Sequence, residues 1–237
     1  MDFARPLIRG TLVRRYKRFL ADVMLEDGRA VTAHCANPGA MLGLNAPGTA
    51  VWLEPTEAPG RKLGFAWRLV ELDGGHFAGI DTSLPNRLVA EALAAGAVPA
   101  LAGYAAFRPE VAYGSRSRVD FLATGPGLPN AYVEVKNVHL RREEDWAEFP
   151  DSVTARGARH LADLAAMAAA GHRAVMLYVV QRSDCARLRL AADLDPGYAR
   201  AFAAARAAGV EAVVHSTHIG TTGVRLAGPL PMPEAVG

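Results

Sequence analysis

The sequence predicts an all-β N-terminal unit, a small closed barrel or sandwich, followed by an α/β unit. Three observations carry this. Short apolar or alternating runs bounded by turn formers fill residues 7–80. A helical period first appears near residue 84. From there helices alternate with strands, one of which, residues 174–180, is a continuous apolar run of the kind that suits a central strand covered on both faces. The overall class is α/β, or α+β if the chain is taken as a whole, with domains at 1–83 and 84–237 and the boundary within 81–86.

Each element has its local reason. Residues 7–15 alternate loosely, 19–25 are apolar, Asp27-Gly28 makes a hairpin turn, and 30–34 return. Residues 36–40 read as a loop, with further strands at 49–53, 65–72 and 77–80 and a turn at Asp73-Gly74-Gly75. The 84–96 segment is a helix, with Pro85 near its start, Leu88, Ala92 and Ala95 on one face and Gly96 past its end. A strand follows at 107–113, then two more within 115–138, joined by the turn-rich 124–130 segment. Helix 154–170 buries Leu161, Leu164, Ala165 and Ala168; strand 174–180, helix 198–208 and strand 210–216 complete the set. The Pro-rich tail from 229 is expected to fray.

Composition is that of an ordinary globular protein, 51% hydrophobic and 21% charged over 237 residues. No apolar run approaches a membrane span, and the first residues carry no signal-peptide core, so a cytoplasmic protein with no membrane partner is expected. Cys35 and Cys185 are isolated and outside any metal-ligand spacing, which argues for thiols and against zinc. A net charge of +2 says little by itself. Its distribution says more: Arg5, Arg9, Arg14, Arg15, Lys17 and Arg18 face only Asp2 within the first 18 residues. Phosphate contact along this arm is the reading favoured, with Tyr16 and Phe19 near enough to stack on bases and Phe19 more often a core residue in such a position.

The chemistry concentrates in the strands within 115–138. Asp120 lies on one strand, Glu134 and Lys136 on the next, and alternation puts Glu134 and Lys136 on one face with Val135 on the other. Charges among valines are costly unless paired or bound to metal. Two carboxylates beside a lysine make a hard-oxygen site for Mg²⁺ or Mn²⁺, the lysine orienting a water. Asp120 at a turn edge with Glu134 and Lys136 as a solvated ion pair is the competing reading.

Asp120…Glu134-Val135-Lys136 resembles the core of the PD-(D/E)xK nuclease superfamily. Segments 15–23, 34–41, 86–88, 117–121, 132–138 and 149–157 resemble the bacterial sugar fermentation stimulation protein A family over nearly the whole chain. Pro38 and Ala155 depart from that family's pattern, which has threonine and glutamate there. The resemblance implies an N-terminal OB-like β-barrel, a PD-(D/E)xK nuclease-like mixed-sheet α/β domain, DNA binding to duplex or single strands, and a role in regulating maltose-type sugar catabolism. A Mg²⁺-dependent nuclease using Asp120, Glu134 and Lys136 is the alternative. Those nucleases often place a helical glutamate at the metal, which points to Glu91 as a third ligand; a solvated helix residue is the alternative there. Glu110 reads as an outer-shell or edge charge, and His139 as a strand-end residue. Arg156, Arg159 and His160 share a helix face, so Arg156 and Arg159 join Arg14, Arg15, Lys17 and Arg18 as candidate phosphate contacts, or else solvate the helix. No helix-turn-helix word is present, so weak sequence selectivity is expected.

Overall fold

The computed structural model describes residues 1–56, 63–114 and 117–233; Ser115 and Arg116, at the start of the key stretch, and the last four residues of the tail lie outside the described set. Strands β1 (Ile8–Tyr16), β2 (Leu20–Leu25), β3 (Ala30–Cys35), β4 (Ala50–Pro55), β5 (Phe65–Leu72) and β6 (His76–Gly79) form one sheet in the order β3-β2-β1-β4-β5-β6. A parallel rung between His34-Cys35 and Ala66-Trp67 joins β3 to β5 and closes a five-stranded barrel. Its interior is filled by alternate residues, among them Leu12, Val23, Cys35, Val51, Leu53 and Trp67. Gly10 lets β1 cross there: a Cβ would sit 2.6 Å from Val23 Cγ1 and 2.8 Å from the Met24 carbonyl.

The α/β unit begins with α1 (Leu84–Ala94), which carries Pro85 in its first turn. Strands β7 (Ala106–Tyr113), β8 (Ser117–Thr124), β9 (Ala131–Val138), β11 (Arg173–Val180), β13 (Glu211–Gly220) and β14 (Gly223–Pro229) form a mixed sheet, ordered β14-β13-β11-β9-β8-β7. β11 is parallel to both neighbours, β9 and β13, and is buried from Ala174 to Val180. On one face lie α2 (Ala155–Ala169) and α3 (Pro196–Ala207), packed over Met176, Tyr178 and Val180. On the other, Val89 and Leu93 of α1 meet Val133, Val135, Val175 and Leu177. The buried Tyr178 and Tyr198 hydroxyls satisfy each other at 2.7 Å.

Two departures from expectation have physical causes. β10 (Trp146–Phe149) and β12 (Arg187–Leu190) pair in parallel with each other, about 40 residues apart, and neither is long or apolar enough to announce itself. The tail is tied down through Pro231: β14 pairs with β13, the Leu188 N–H donates to the Pro231 carbonyl, and Leu230 and Met232 pack on the core. The two units also share apolar surface. Leu69, Trp52 and Phe77 of the barrel cluster with Leu84, Leu88, Ile219 and Val224. No helix among the described residues is long and apolar enough to cross a membrane.

Candidate metal centre

Asp120 and Glu134 come together where β8 and β9 part. The β8–β9 ladder runs from Ala123–Ala131 to Phe121–Val133 and then stops. The Asp120 side chain takes the next rung itself: its Oδ2 accepts the Val135 N–H at 2.7 Å, and its Oδ1 accepts Asn86 Nδ2 of α1, also at 2.7 Å. Both bonds favour the carboxylate, but burial and the neighbouring Glu134 charge outweigh them and push Asp120 above the ordinary aspartate value.

Alternation along β9 turns Glu134 and Lys136 toward α2, as expected. Glu134 is 3% exposed. Its Oε1 accepts Lys136 Nζ at 2.6 Å and meets Nδ1 of buried His160, which stands one helical turn into α2. Lys136 Nζ also lies 3.3 Å from that nitrogen. Burial pushes the Glu134 carboxyl up, yet His160 and Lys136 together hold it below the usual glutamate value. The second oxygen, Oε2, is buried with no hydrogen-bond partner among the described residues. A buried carboxylate oxygen without a partner marks a place for a cation, a water or a ligand donor. The Tyr113 hydroxyl, also buried and without a partner among the described residues, stands in the same neighbourhood: its ring stacks on Tyr132, two residues before Glu134, at 5.7 Å. Burial and the charges of Glu134, Asp163 and Asp120 push its pKa up.

Among the described residues no three His, Cys, Asp or Glu side chains are grouped as metal ligands. The donor set is therefore two carboxylates, one with a free oxygen. It fits a hard cation that completes its shell with water and substrate oxygens, the usual habit of Mg²⁺.

Glu91 is not brought into this cluster. It is exposed on α1 and pairs with the N-terminal ammonium at 3.0 Å. Five residues separate it from Asn86, about 140° around a helix, so when Asn86 faces Asp120, Glu91 faces elsewhere. Glu110 is exposed on the edge strand β7. His139 is buried, 3.3 Å from Asp151, which also accepts the Met41 N–H and so ties the barrel's 36–41 loop to the α/β unit.

The basic candidates divide. Arg14 pairs with Asp22 at 2.8 Å and lies over the Tyr16 ring, while Arg15 Nη2 donates to the carbonyls of Arg18, Asn37 and Gly39. Arg15 is thus a staple of the barrel loop. Lys17 and Arg18 are exposed at the β1–β2 tip. Arg156 is exposed at the start of α2 with its Nε 3.2 Å from His160 Nε2, which places it at the rim of the carboxylate site; Arg159 is exposed on the same helix. Phe19, expected in the core, is 46% exposed. Sequence reasoning missed Asn86 as the partner of Asp120 and His160 as the partner of Glu134; both belong to short polar words at helix starts, the only local signal they carry.

A family model described as the sugar fermentation stimulation protein RE domain matches residues 83–223, and one described as the SfsA N-terminal OB domain matches residues 13–80. The chain is 66% identical to a sugar fermentation stimulation protein homolog of Dinoroseobacter shibae, covering 99% of this chain and 97% of that one. It is 63% identical to a homolog of Ruegeria pomeroyi, with 96% and 99% covered. Among solved structures it is similar to Pyrococcus furiosus SfsA in complex with Ca²⁺, with TM-score 0.87, 27% identity, and 99% and 98% of the two chains covered.

Proposed function

The chain belongs to the sugar fermentation stimulation protein family, and from that premise we propose that it binds DNA and hydrolyses phosphodiester bonds with a divalent cation held by Asp120 and Glu134. The observation that carries this reading is the unpartnered, buried Glu134 Oε2 beside a carboxylate it repels. The Pyrococcus furiosus relative, solved with Ca²⁺, supports a hard divalent cation here as well; Mg²⁺ or Mn²⁺ would serve catalysis.

Bound there, the cation would supply a Lewis acid for a phosphate oxygen and a more acidic water. The chain's own groups do the rest. Asn86 and the Val135 N–H fix both oxygens of Asp120, so its carboxylate is aimed before any ligand arrives. His160 and Lys136 hold Glu134 by one oxygen and leave the other free. Lys136 Nζ, between Glu134 and His160, is positioned to orient a water toward a phosphorus bound against the carboxylates. Arg156 at the rim, and Lys17 and Arg18 at the barrel tip, are exposed cations suited to phosphate.

The second reading is the one carried by the family's name: a DNA-binding protein that influences sugar catabolism without cutting. The exposed Lys17 and Arg18 at the barrel tip favour it, since they need no metal chemistry. A panel of single-stranded, duplex and branched substrates, assayed with Mg²⁺, Mn²⁺ or EDTA, separates the two. Cleavage that EDTA abolishes supports the nuclease; retention of all substrates without cleavage supports the binder.

A further inference from the structure

The β1–β2 tip of the barrel has a construction that phosphate contact alone does not require. Three residues, Lys17, Arg18 and Phe19, connect Tyr16 to its rung partner Leu20. Lys17 and Arg18 both adopt left-handed backbone conformations, with φ of 48° and 64°. Long L side chains seldom do this, and the turn is held by a bond from the Phe19 N–H to the Lys17 carbonyl at 2.8 Å. The Phe19 carbonyl in turn accepts the Cys35 N–H at 2.8 Å, which fixes the phenylalanine against the end of β3. Phe19 is 46% exposed, and its ring lies parallel to that of His34, itself exposed, with an interplanar angle of 8° and centroids 6.4 Å apart. That separation is too wide for a closed face-to-face stack, so the rings are offset and part of each face stays open.

Exposed, parallel aromatic rings beside exposed cations have one common ligand chemistry: an unpaired nucleic-acid strand, whose bases stack while its phosphates meet the cations. A paired duplex keeps its bases covered and cannot use the rings. Tyr16 is a poor stacking surface by comparison, because Arg14 lies over its ring at 4.7 Å and its hydroxyl bonds Asp22. No side-chain partner is found for Lys17 or Arg18 among the described residues. We infer that Phe19 and His34, flanked by Lys17 and Arg18, form a base-stacking platform for single-stranded nucleic acid. This deepens the nucleic-acid reading of the same protein and names its substrate class as unpaired strands.

Hydrogen bonds link the platform to the helix that supplies Glu134 with its partner. Arg15 links the tip to the 37–39 loop through the Arg18, Asn37 and Gly39 carbonyls. That loop reaches Asp151 through the Met41 N–H, and three residues beyond Asp151 stands Thr154, the N-cap of α2. α2 then supplies Arg156 at the rim and His160 against Glu134.

Fluorescence anisotropy of labelled oligo(dT) and oligo(rU), and of a blunt DNA duplex, all in EDTA so that no cleavage is needed, tests the platform. Wild type is expected to bind a single strand more tightly than the duplex. Phe19→Ala should weaken single-strand binding by roughly 5- to 150-fold, the range for one lost base–aromatic stack, and leave duplex binding unchanged. Phe19→Tyr should retain the wild-type affinity, which separates stacking from a disturbed turn. Binding of either oligo(dT) or oligo(rU) with this dependence supports the platform, and the difference between them reads discrimination by the 2′-hydroxyl. Equal losses on single strand and duplex, or no loss on either, would overturn it. Hydrolysis of bis(p-nitrophenyl) phosphate with Mn²⁺, measured in parallel, does not use the platform: its absence in wild type would count against the metal centre alone.

Discussion

Replacing Asp120 by Asn asks the most of the metal centre for the least change in shape. Asp120 accepts two hydrogen bonds, from Asn86 and from the Val135 N–H. An amide keeps one acceptor oxygen and turns the other position into a donor, so one bond is lost, at about 1 kcal/mol. Against that loss stands the relief of a buried charge. Because Asp120 titrates above its unfolded value, through burial and then the Glu134 charge, the folded chain binds its proton more tightly than the unfolded chain does. The ionised group therefore destabilises the fold increasingly as pH rises above the unfolded aspartate range, and neutralising it removes that cost at pH 7. The two effects oppose, so the metal-free variant should melt within a few degrees of wild type.

Metal separates the two proteins. A ligand bound only by the native state at about a hundred times its Kd stabilises by about 2.7 kcal/mol. For a chain of this length each kcal/mol moves Tm by about 2–4 °C. Wild type should therefore gain about 5–10 °C with saturating Mg²⁺, Mn²⁺ or Ca²⁺, followed by circular dichroism or differential scanning fluorimetry, and Asp120→Asn should lose most of that gain. A wild-type Tm indifferent to millimolar cation, or an equal gain in the variant, would refute the assignment of these carboxylates to a metal.

Three further outcomes are expected. His160→Ala removes one of the two groups on Glu134 Oε1 inside a buried site, so urea unfolding at pH 7 should show a loss of about 1–3 kcal/mol; stability equal to wild type would mean the contact contributes nothing. Arg14 and Arg15 are engaged within the barrel, so Lys17→Ala/Arg18→Ala should lower the slope of log K against log salt on duplex DNA by about 2, and an unchanged slope would remove the tip as the phosphate contact. Asp151 is held below the ordinary aspartate value, since His139 and the Met41 N–H outweigh its burial; its contribution is present above the unfolded aspartate range and lost as pH falls through the folded value. Wild type should accordingly lose more stability than Asp151→Asn between about pH 5 and pH 3, and parallel acid profiles would contradict this.

What the sequence shows of this protein is what alternation and helical period can show. Glu134 and Lys136 share a face because β9 is a strand, and the barrel strands announce themselves by their turns. The residues that complete the site are 34 and 26 positions away from their partners, Asn86 on Asp120 and His160 on Glu134, and no local pattern pairs them. Glu91 follows the solvated-helix alternative: it shares α1 with Asn86 but not its face, a distinction the short helical segment does not settle. Phe19 misled because an apolar ring beside a strand suggests core, whereas this one sits where the hairpin turns out of the barrel. The strands β10 and β12 pair with each other across 41 residues, and β14, with its glycines and a proline, carries no strand signal until β13 is beside it.

The shared cluster of Leu69, Trp52, Leu88 and Val224 also revises how the halves should behave apart. Two self-contained strand sets suggest separable domains, but residues 84–237 alone would expose Leu88, Ile219 and Val224. That fragment should melt at a lower temperature than the full chain or aggregate, and a fragment as stable as the full chain would show that the cluster adds nothing.

The most direct measurement of the central claim compares wild type with Lys136→Ala in two readouts on the same preparation. Lys136 is assigned to the water and not to the metal, so the variant should keep most of the cation-induced rise in Tm while its rate of single-strand cleavage with Mn²⁺ falls by about 10²-fold or more. Wild-type protein whose Tm rises with cation but which cleaves no single-stranded, duplex or branched substrate would contradict the claim of hydrolysis, and would leave a metal-binding protein that holds DNA without cutting it.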